Sequence, residues 1–305
     1  MPVTVDSKLQ SLKTVIKHEF NNAYGKLSPD SFYNKVCTQI ASNSASNTYD
    51  LLGDFPEFKE WTSARQVKDM KEHSYTVSNK NYEATLGVKR MDLENDNIGT
   101  YRIKAARQAE AAIEFFNQSA ADLLKNGESA LCYDGQNFFD SDHPVYENSD
   151  GTGSNTPTSN IYGAGTAGAA AWYLLDLSKS LKPFIFQQRE ALKMEAITNP
   201  NSEYVFTNDA YMFGSSWRGA FCYGFWQQAL ISKEDLTAEN FEKAYAQMRK
   251  VTKDGGRKMG IRATHIVIPP DLQSKAEGIF NVANNAAGAG NINYKKVEII
   301  VCDWL

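Results

Sequence analysis

Cysteine is scarce in this 305-residue chain, and its four cysteines stand far apart, at positions 37, 132, 222 and 302. No two of them form a Cys-x-x-Cys pair, which excludes an ordinary zinc-finger site. The same spacing provides no framework of disulfides. We therefore expect a protein that is made and kept in a reducing compartment.

A basic surplus is also absent. The chain has 32 Lys and Arg against 36 Asp and Glu, a formal net charge of −4, and the two signs are interspersed. This balance argues against a dedicated nucleic-acid-binding protein, which normally carries a cationic surface.

Long apolar runs are missing as well. The most apolar stretch, Ala167 to Leu175, has about half the length that a membrane-spanning helix needs. Residues 1–6 lack the basic and apolar segments that begin a signal peptide. The sequence therefore predicts a soluble protein that makes no use of a membrane.

Sequence motifs of catalysis are likewise absent. The chain contains no Gly-x-Ser-x-Gly nucleophile elbow, no dinucleotide-binding fingerprint and no His-Glu-x-x-His zinc motif. The segment 255–260 is rich in glycine and cations, but it lacks the Gly-Lys-Ser/Thr ending of a phosphate-binding loop. We predict a connecting loop at this position.

What the sequence does contain is one long amphipathic helix, predicted from Thr100 to Gly127. Apolar and small residues recur at steps of three and four, which places them in one stripe on one face. The stripe consists of Tyr101, Ala105, Ala109, Ala112, Ile113, Phe116, Ala120, Leu123 and Leu124. Thr100 can cap the N-terminus, and Asn126-Gly127 provides a left-handed stop. The predicted helix would be about 37 Å long, which suits a helix that lies under a sheet as a spine. An ordinary long core helix is the alternative interpretation.

Before this helix the chain is predicted to form an arm. An amphipathic helix is expected over residues 8–24, and a short helical segment follows Pro29. Residues 41–48 are small and polar, so they contribute no core of their own. A segment of this kind becomes ordered by lying on another part of the structure.

A β-hairpin is predicted directly before the long helix. Residues 73–77 and 82–88 both alternate apolar with polar side chains, the two-residue period of a strand, and residues 78–81 provide a short turn. A two-stranded hairpin is marginal in water by itself. The hairpin therefore either folds back on its own domain or packs on a neighbouring molecule, and the pattern leaves both open.

The C-terminal half is predicted to mix strands with helices. The expected strands are 182–186, 202–206, 221–226, 264–268 and 297–305, with a polar segment at 187–193. Thr237 caps one predicted helix, Asp271 begins another, and residues 147–170 have the composition of a long surface loop. Because no regular βαβ repeat is present, we predict an α+β fold rather than a Rossmann-type sheet.

The best candidate for chemistry is the cluster Asp134, Asp140, Asp142 and His143. Carboxylates and an imidazole this close together could bind a divalent cation, and Asp140, Asp142 and His143 would suit metal-assisted hydrolysis. Their spacing matches none of the specific metal motifs. Aspartates beside glycine, serine and proline more often form turns, in which the carboxylate accepts hydrogen bonds from nearby amides. We favour that interpretation.

Residues 133–144, Tyr-Asp-Gly-Gln-Asn-Phe-Phe-Asp-Ser-Asp-His-Pro, resemble the signature of Mu-like phage and prophage major head subunits. Segments at 82–101, 172–190 and 259–270 resemble the same family in the same order, so the likeness covers roughly residues 60–305. The residues that match the signature are Asp134, Gly135, Phe138, Phe139, Asp142, His143 and Pro144. The resemblance implies that they form a structural turn.

This resemblance implies a major capsid protein with the HK97-type fold of tailed-phage shells. That α+β fold has an N-terminal arm, an extended hairpin loop, a peripheral domain crossed by a long spine helix, and a mixed α/β axial domain. The implied divisions are 1–64 (N-terminal arm and helices), 65–98 (hairpin loop), 99–146 (peripheral domain), 147–236 and 257–305 (axial domain) and 237–256 (peripheral-domain helix). The hairpin residues expected to contact an adjacent subunit are Tyr75, Val77, Tyr82, Leu86 and Val88.

The same resemblance implies a structural protein of the virion, assembled in the cytoplasm of a bacterial host and without enzymatic activity. It implies pentamers and hexamers that form an icosahedral head around double-stranded DNA, with weak, non-specific DNA contact. Scaffolding, portal and decoration proteins are the other expected partners, and no catalytic residue, cofactor or metal is expected. Two alternatives stay open, a metal-dependent hydrolase and a cellular nanocompartment shell of the same fold.

Overall fold

The computed structural model describes residues 5–49, 52, 75–94, 98–149, 151–284 and 288–305. The helices among them are α1 (Val5–Leu27), α2 (Phe32–Val36), α3 (Arg90–Glu94), α4 (Ile98–Asn126), α5 (Glu203–Asn208), α6 (Ala238–Lys250) and α7 (Gln273–Phe280). The strands are β1 (Cys37–Ala41), β2 (Ser46–Thr48), β3 (Thr76–Ser78), β4 (Lys80–Lys89), β5 (His143–Tyr146), β6 (Asn155–Thr158), β7 (Ile161–Tyr162), β8 (Trp172–Leu175), β9 (Phe184–Ile197), β10 (Ala210–Tyr223), β11 (Ala229–Ser232), β12 (His265–Ile268) and β13 (Glu298–Val301). Among these helices, none has the length and apolar character needed to span a bilayer.

The long helix predicted from the sequence is α4, which runs for 29 residues. In its first half the apolar stripe packs on α1, where Ala105 and Ala109 are fully buried in one cluster with Leu12 and Ile16. In its second half the same stripe enters the largest core of the molecule, which includes Phe116. The predicted spine is therefore confirmed, with the N-terminal helix packed along it. The predicted cap is wrong, because α4 already begins at Ile98 and Thr100 lies inside the helix.

The end of α4 differs from the prediction in one respect. The helix stops at Asn126, but Gly127 does not adopt a left-handed conformation. Gly127 is buried beneath the ring of Phe139, where an added side chain would collide with the aromatic carbons. The chain needs glycine here for space, not for its backbone freedom.

The first sheet has the strand order β1-β9-β10-β4. Its centre is the antiparallel pair β9 and β10, each 14 residues long, with β4 antiparallel to β10 and β1 parallel to β9. The strand predicted at 182–186 extends further than expected, because the polar segment 187–193 continues β9. From Glu190 to Ile197 the side chains of β9 alternate in exposure, which is typical of a strand with one covered face.

The predicted hairpin of residues 73–88 is wrong in its pairing. β3 pairs with β2, and β4 pairs with β10. Only Asn79 lies between β3 and β4, and one residue is too short for a hairpin turn. Its side chain donates to Ser42 Oγ and to the carbonyl of Ser44, which ties this point to the N-terminal segment. Residues 65–74 and 95–97 of the predicted loop lie outside the described residues.

The second sheet has the strand order β13-β12-β8-β11-β7. Helices α6 and α7 cover one face, where Phe241 and Phe280 meet edge to face. The other face joins the same large core as α4. Thr237 caps α6 as predicted, since its hydroxyl accepts a hydrogen bond from Asn240 N at 3.1 Å.

Two local predictions in this half are corrected. Residues 202–206 were expected as a strand, but α5 begins there because Ser202 acts as an N-cap and accepts a hydrogen bond from Val205 N. Residues 147–170 were expected as a long loop, but they contain the short strands β6 and β7. The α+β class, with two mixed sheets and helices on their faces, is confirmed.

Candidate functional site

The signature segment folds as a tight turn between α4 and β5. Cys132 N donates to the carbonyl of Gln136 at 2.8 Å, and Gly135, with φ 87°, makes the reversal. Asp134 Oδ1 accepts a hydrogen bond from Gln136 N at 3.1 Å. Aspartate followed by glycine favours this geometry, because the carboxylate takes the place of a backbone acceptor and glycine tolerates positive φ.

The buried partner of this turn is His143, which has no exposed surface. Its Nδ1 donates to Asp134 Oδ2 at 2.8 Å, and its ring stacks on Trp226 with centroids 3.9 Å apart. Burial raises the pKa of Asp134, but hydrogen bonds from His143 and from the Cys132 thiol outweigh it, so the net shift of this pKa is downward. Asp134 is therefore a carboxylate that holds two buried donors in place.

The same three side chains have the spacing of a metal site. The ligand atoms of Cys132, Asp134 and His143 all lie within 4.8 Å of one another. The thiol already donates to Asp134 Oδ1 at 3.0 Å, however, and His143 Nδ1 donates to Asp134 Oδ2. Burial, followed by the charge of Asp134, raises the pKa of the Cys132 thiol, which opposes the thiolate that a metal requires. The geometry is that of a hydrogen-bonded turn.

The hydrolase cluster predicted as an alternative does not form. His143 pairs with Asp134 and not with Asp140 or Asp142. Asp140 accepts hydrogen bonds from the backbone amides of Asn137 and Ser141, which is the turn chemistry favoured from the sequence. Asp142 is exposed, and a hydrogen bond to Asp140 raises its pKa.

The two phenylalanines of the signature belong to the core. Phe138 is fully buried and stacks on Tyr223 of β10, with centroids 4.5 Å apart. Phe139 packs on Tyr173 of β8 and covers Gly127. The segment therefore connects the spine helix with both sheets.

Sequence reasoning missed Asn160, which joins the turn to the second sheet. Its side chain donates to the carbonyl of Phe138 at 2.8 Å and accepts from Asp140 N at 2.9 Å. Its own carbonyl accepts from Ile231 N of β11 at 3.0 Å. The sequence offered no signal for this role, since Asn160 lies in a polar stretch of similar residues.

The residues predicted to contact a neighbouring subunit also pack inside their own chain: Tyr75, Val77, Tyr82, Leu86 and Val88. Val88 has no exposed surface, so the structure gives it an internal role. Tyr82 stacks on Trp217 with centroids 5.3 Å apart, and the Tyr75 hydroxyl accepts from Tyr223 N. The other four are half-buried and keep part of their surface open.

A second feature missed from the sequence is the anchor of the β2–β3 ribbon. Gln187 of β9 is fully buried, and its Oε1 accepts from the Tyr49 hydroxyl at 2.6 Å. Its Nε2 donates to the carbonyl of Val77 and, at 2.8 Å, to Asn79 Oδ1. One buried amide thus fixes both strands of the ribbon to the first sheet.

Comparison with known sequences covers almost the whole chain. The family described as Mu-like prophage major head subunit gpT matches residues 9–305. The chain is 39% identical to the major capsid protein of Escherichia phage Mu, over 99% of this chain and 100% of that protein. It is also 39% identical to the Mu-like prophage FluMu major head subunit of Haemophilus influenzae, over 90% of each.

Comparison with solved structures agrees with the comparison of sequences. A chain of the bacteriophage JBD30 procapsid superposes with a TM-score of 0.87 at 44% identity, over 97% of this chain and 98% of the other. A chain of the JBD30 capsid superposes with a TM-score of 0.75 at 33% identity, over 90% of each. These relatives decide against the hydrolase and the nanocompartment. The chain belongs to the Mu-like prophage major head subunit gpT family, and it is a structural major capsid protein of the virion with the HK97-type fold.

Proposed function

We propose that this protein assembles into pentamers and hexamers that form an icosahedral head around double-stranded DNA. The observation that carries the proposal is the superposition of 97% of the chain on a procapsid subunit at a TM-score of 0.87. Rings of identical subunits need heterologous contacts, in which two different patches of the surface meet. Scaffolding and portal proteins are further proposed partners. A relative's capsid carries minor capsid protein trimers, which supports a decoration partner.

One surface suited to such a contact is the connection between β9 and β10. Phe206 in α5 has 86% of its surface exposed, and Tyr204 and Ile197 in the same region are 37% and 45% exposed. Large apolar side chains exposed near one another mark association surfaces. We propose that Phe206 packs against another subunit in the assembled head.

The family resemblance supports a second contact, through the exposed parts of Tyr75, Val77, Tyr82 and Leu86. Substitution of these residues would disturb their internal packing as well as any contact. Phe206 therefore provides the sharper test, because little of it is buried in the subunit.

The test compares wild-type protein with Phe206→Ser and with the matched control Thr207→Ser, an exposed neighbour in the same helix. Electron microscopy and light scattering should show shells for the wild type and the control, and greatly reduced assembly for Phe206→Ser. The unfolding midpoint of the subunit should be unchanged in both variants. A wild-type protein that stays monomeric at every concentration would refute the proposed function. Normal assembly of Phe206→Ser would refute only the proposed surface.

A further inference from the structure

A cationic depression of about 640 Å³ lies beside the second half of α6, the helix that helps cover one face of the second sheet. Three separate segments contribute to it: the end of α6, the loop before β12 and the residues before β13. Its cations are Arg249, Lys250, Lys258, Arg262 and Lys296. All five side chains are exposed to solvent.

The charge of this depression is opposite to that of the whole protein. The chain carries a net charge of −4, whereas the depression combines its five cations with one carboxylate, Glu242. Glu242 Oε1 already accepts a hydrogen bond from Asn293 Nδ2 at 2.8 Å. Within the described part of the chain, no carboxylate lies within 4.0 Å of any of the five cations. Among the described residues, these cations therefore repel one another without a direct ion pair to offset the repulsion.

Structural roles account for part of this cluster. Arg249 and Lys250 lie in the last turn of α6, where cations are favourable beside the helix C-terminus. Lys296 lies over the ring of Tyr245 at 4.9 Å and donates to Asn293 Oδ1. Among the described residues, no comparable side-chain contact explains Lys258, which lies in the glycine- and cation-rich segment 255–260, or Arg262, which lies two residues beyond it. Their convergence with the helix end points to an anionic ligand.

We propose that this depression binds the phosphodiester backbone of nucleic acid, an inference that rests on the proposed enclosure of double-stranded DNA. Guanidinium groups such as those of Arg249 and Arg262 match phosphate oxygens in a two-point geometry, and lysines add point charges. Because all five cations are exposed to solvent, they can contact a phosphate backbone that passes across the depression without reading the base sequence. Binding of this kind is non-specific and weakens steeply with salt.

The experiment measures binding of a fluorescent 20-base-pair DNA to the unassembled full-length subunit, by anisotropy across a salt series. The test variant combines Arg249→Gln, Lys250→Gln and Arg262→Gln. The control removes the same charge from scattered exposed sites with Lys80→Gln, Lys89→Gln and Lys275→Gln. The slope of log K against log salt is negative, and each lost phosphate contact should reduce its magnitude by about 0.9. The magnitude should therefore be smaller by about 2–3 for the test variant than for the wild type. The control should lose less than one.

Each other outcome overturns the inference. Wild-type protein that binds no DNA at low salt refutes it, and so does an equal loss in the test variant and the control. Competition by polyglutamate as effective as that by unlabelled DNA at equal charge would assign the surface to an acidic protein segment instead. If the triple test variant does not fold, a second variant, Lys258→Gln with Lys296→Gln, repeats the test on the two remaining cations of the depression. Shell formation, scored separately by electron microscopy, reports on the proposed function alone.

Discussion

Replacing Gly127 with Ala should destabilise the subunit, because this glycine provides the space in which the signature turn meets the spine helix. A Cβ atom at this position would lie 2.7 Å from Phe139 Cε2, closer still to Cδ2, and 3.3 Å from the carbonyl oxygen of Leu123. The ring has little room to move, since it is fully enclosed and packs on Phe138 and Tyr173. Overpacking of this kind costs about 1–3 kcal/mol.

An opposing effect reduces this cost. Alanine restricts the unfolded chain more than glycine does, which stabilises a protein by about 0.4–1 kcal/mol where the backbone suits it. The net loss for Gly127→Ala is therefore about 1–2 kcal/mol. Gly25→Ala is the matched control, because Gly25 lies in helix α1 with no atom within 4 Å of an added Cβ. That variant should be as stable as the wild type, or more stable.

The assay is urea unfolding of the unassembled subunit, followed by tryptophan fluorescence. Adding Phe139→Leu to Gly127→Ala should recover part of the loss, because the smaller side chain removes the colliding aromatic carbons. The two substitutions should then be coupled by more than about 0.5 kcal/mol. A Gly127→Ala variant as stable as the wild type, or strictly additive effects in the double variant, would refute the steric argument.

Two further substitutions test the polar contacts of the signature turn. Hydrogen bonds hold the pKa of Asp134 in the folded protein below its ordinary value. The ionised carboxylate therefore stabilises the fold at any pH above the ordinary pKa, and this stabilisation is lost as the pH falls through the lower pKa of the folded protein. Asp134→Asn should therefore lower the thermal unfolding midpoint at pH 7. The midpoint of this variant should also fall less steeply toward acid pH than that of the wild type. An equally steep fall in both proteins would contradict this reasoning. Asn160→Ala should cost about 1–3 kcal/mol in urea unfolding, because Phe138 O and Asp140 N lose their partners. Wild-type stability in that variant would contradict this.

Helical periodicity was enough to predict the spine, because the apolar stripe from Tyr101 to Leu124 repeats through many turns of the 29-residue helix and leaves few alternative structures. The start of α6 was predictable for a similar local reason, since the Thr237 cap and the apolar face agree. The same patterning failed for the strands near Asn79. Alternation shows that a segment is a strand, but partner choice depends on residues far along the chain, such as those of β10.

The candidate site divides in the same way. The pair Asp134-Gly135 predicts a turn from the local sequence alone, and the structure has a turn at these residues. The partner of His143 was not predictable, because both nearby aspartates competed with Asp134 and only the fold selects among them. Asn160 and Gln187 act through contacts to distant backbone groups, which leave no periodic trace in the sequence.

The pairing of the first sheet also sets a time at which a growing chain becomes able to assemble. Strand β1 pairs with β9 from Cys37 with Phe184 onward, and β4 pairs with β10 from Lys80 with Gly219 onward. Until the ribosome has made β9 and β10, strands β1 and β4 lack these partners. Pairings that close such long loops form slowly, because the chain must first lose the entropy of closing them. A chain that ends before β9 therefore lacks the strands on which β1 and β4 are placed in the finished subunit.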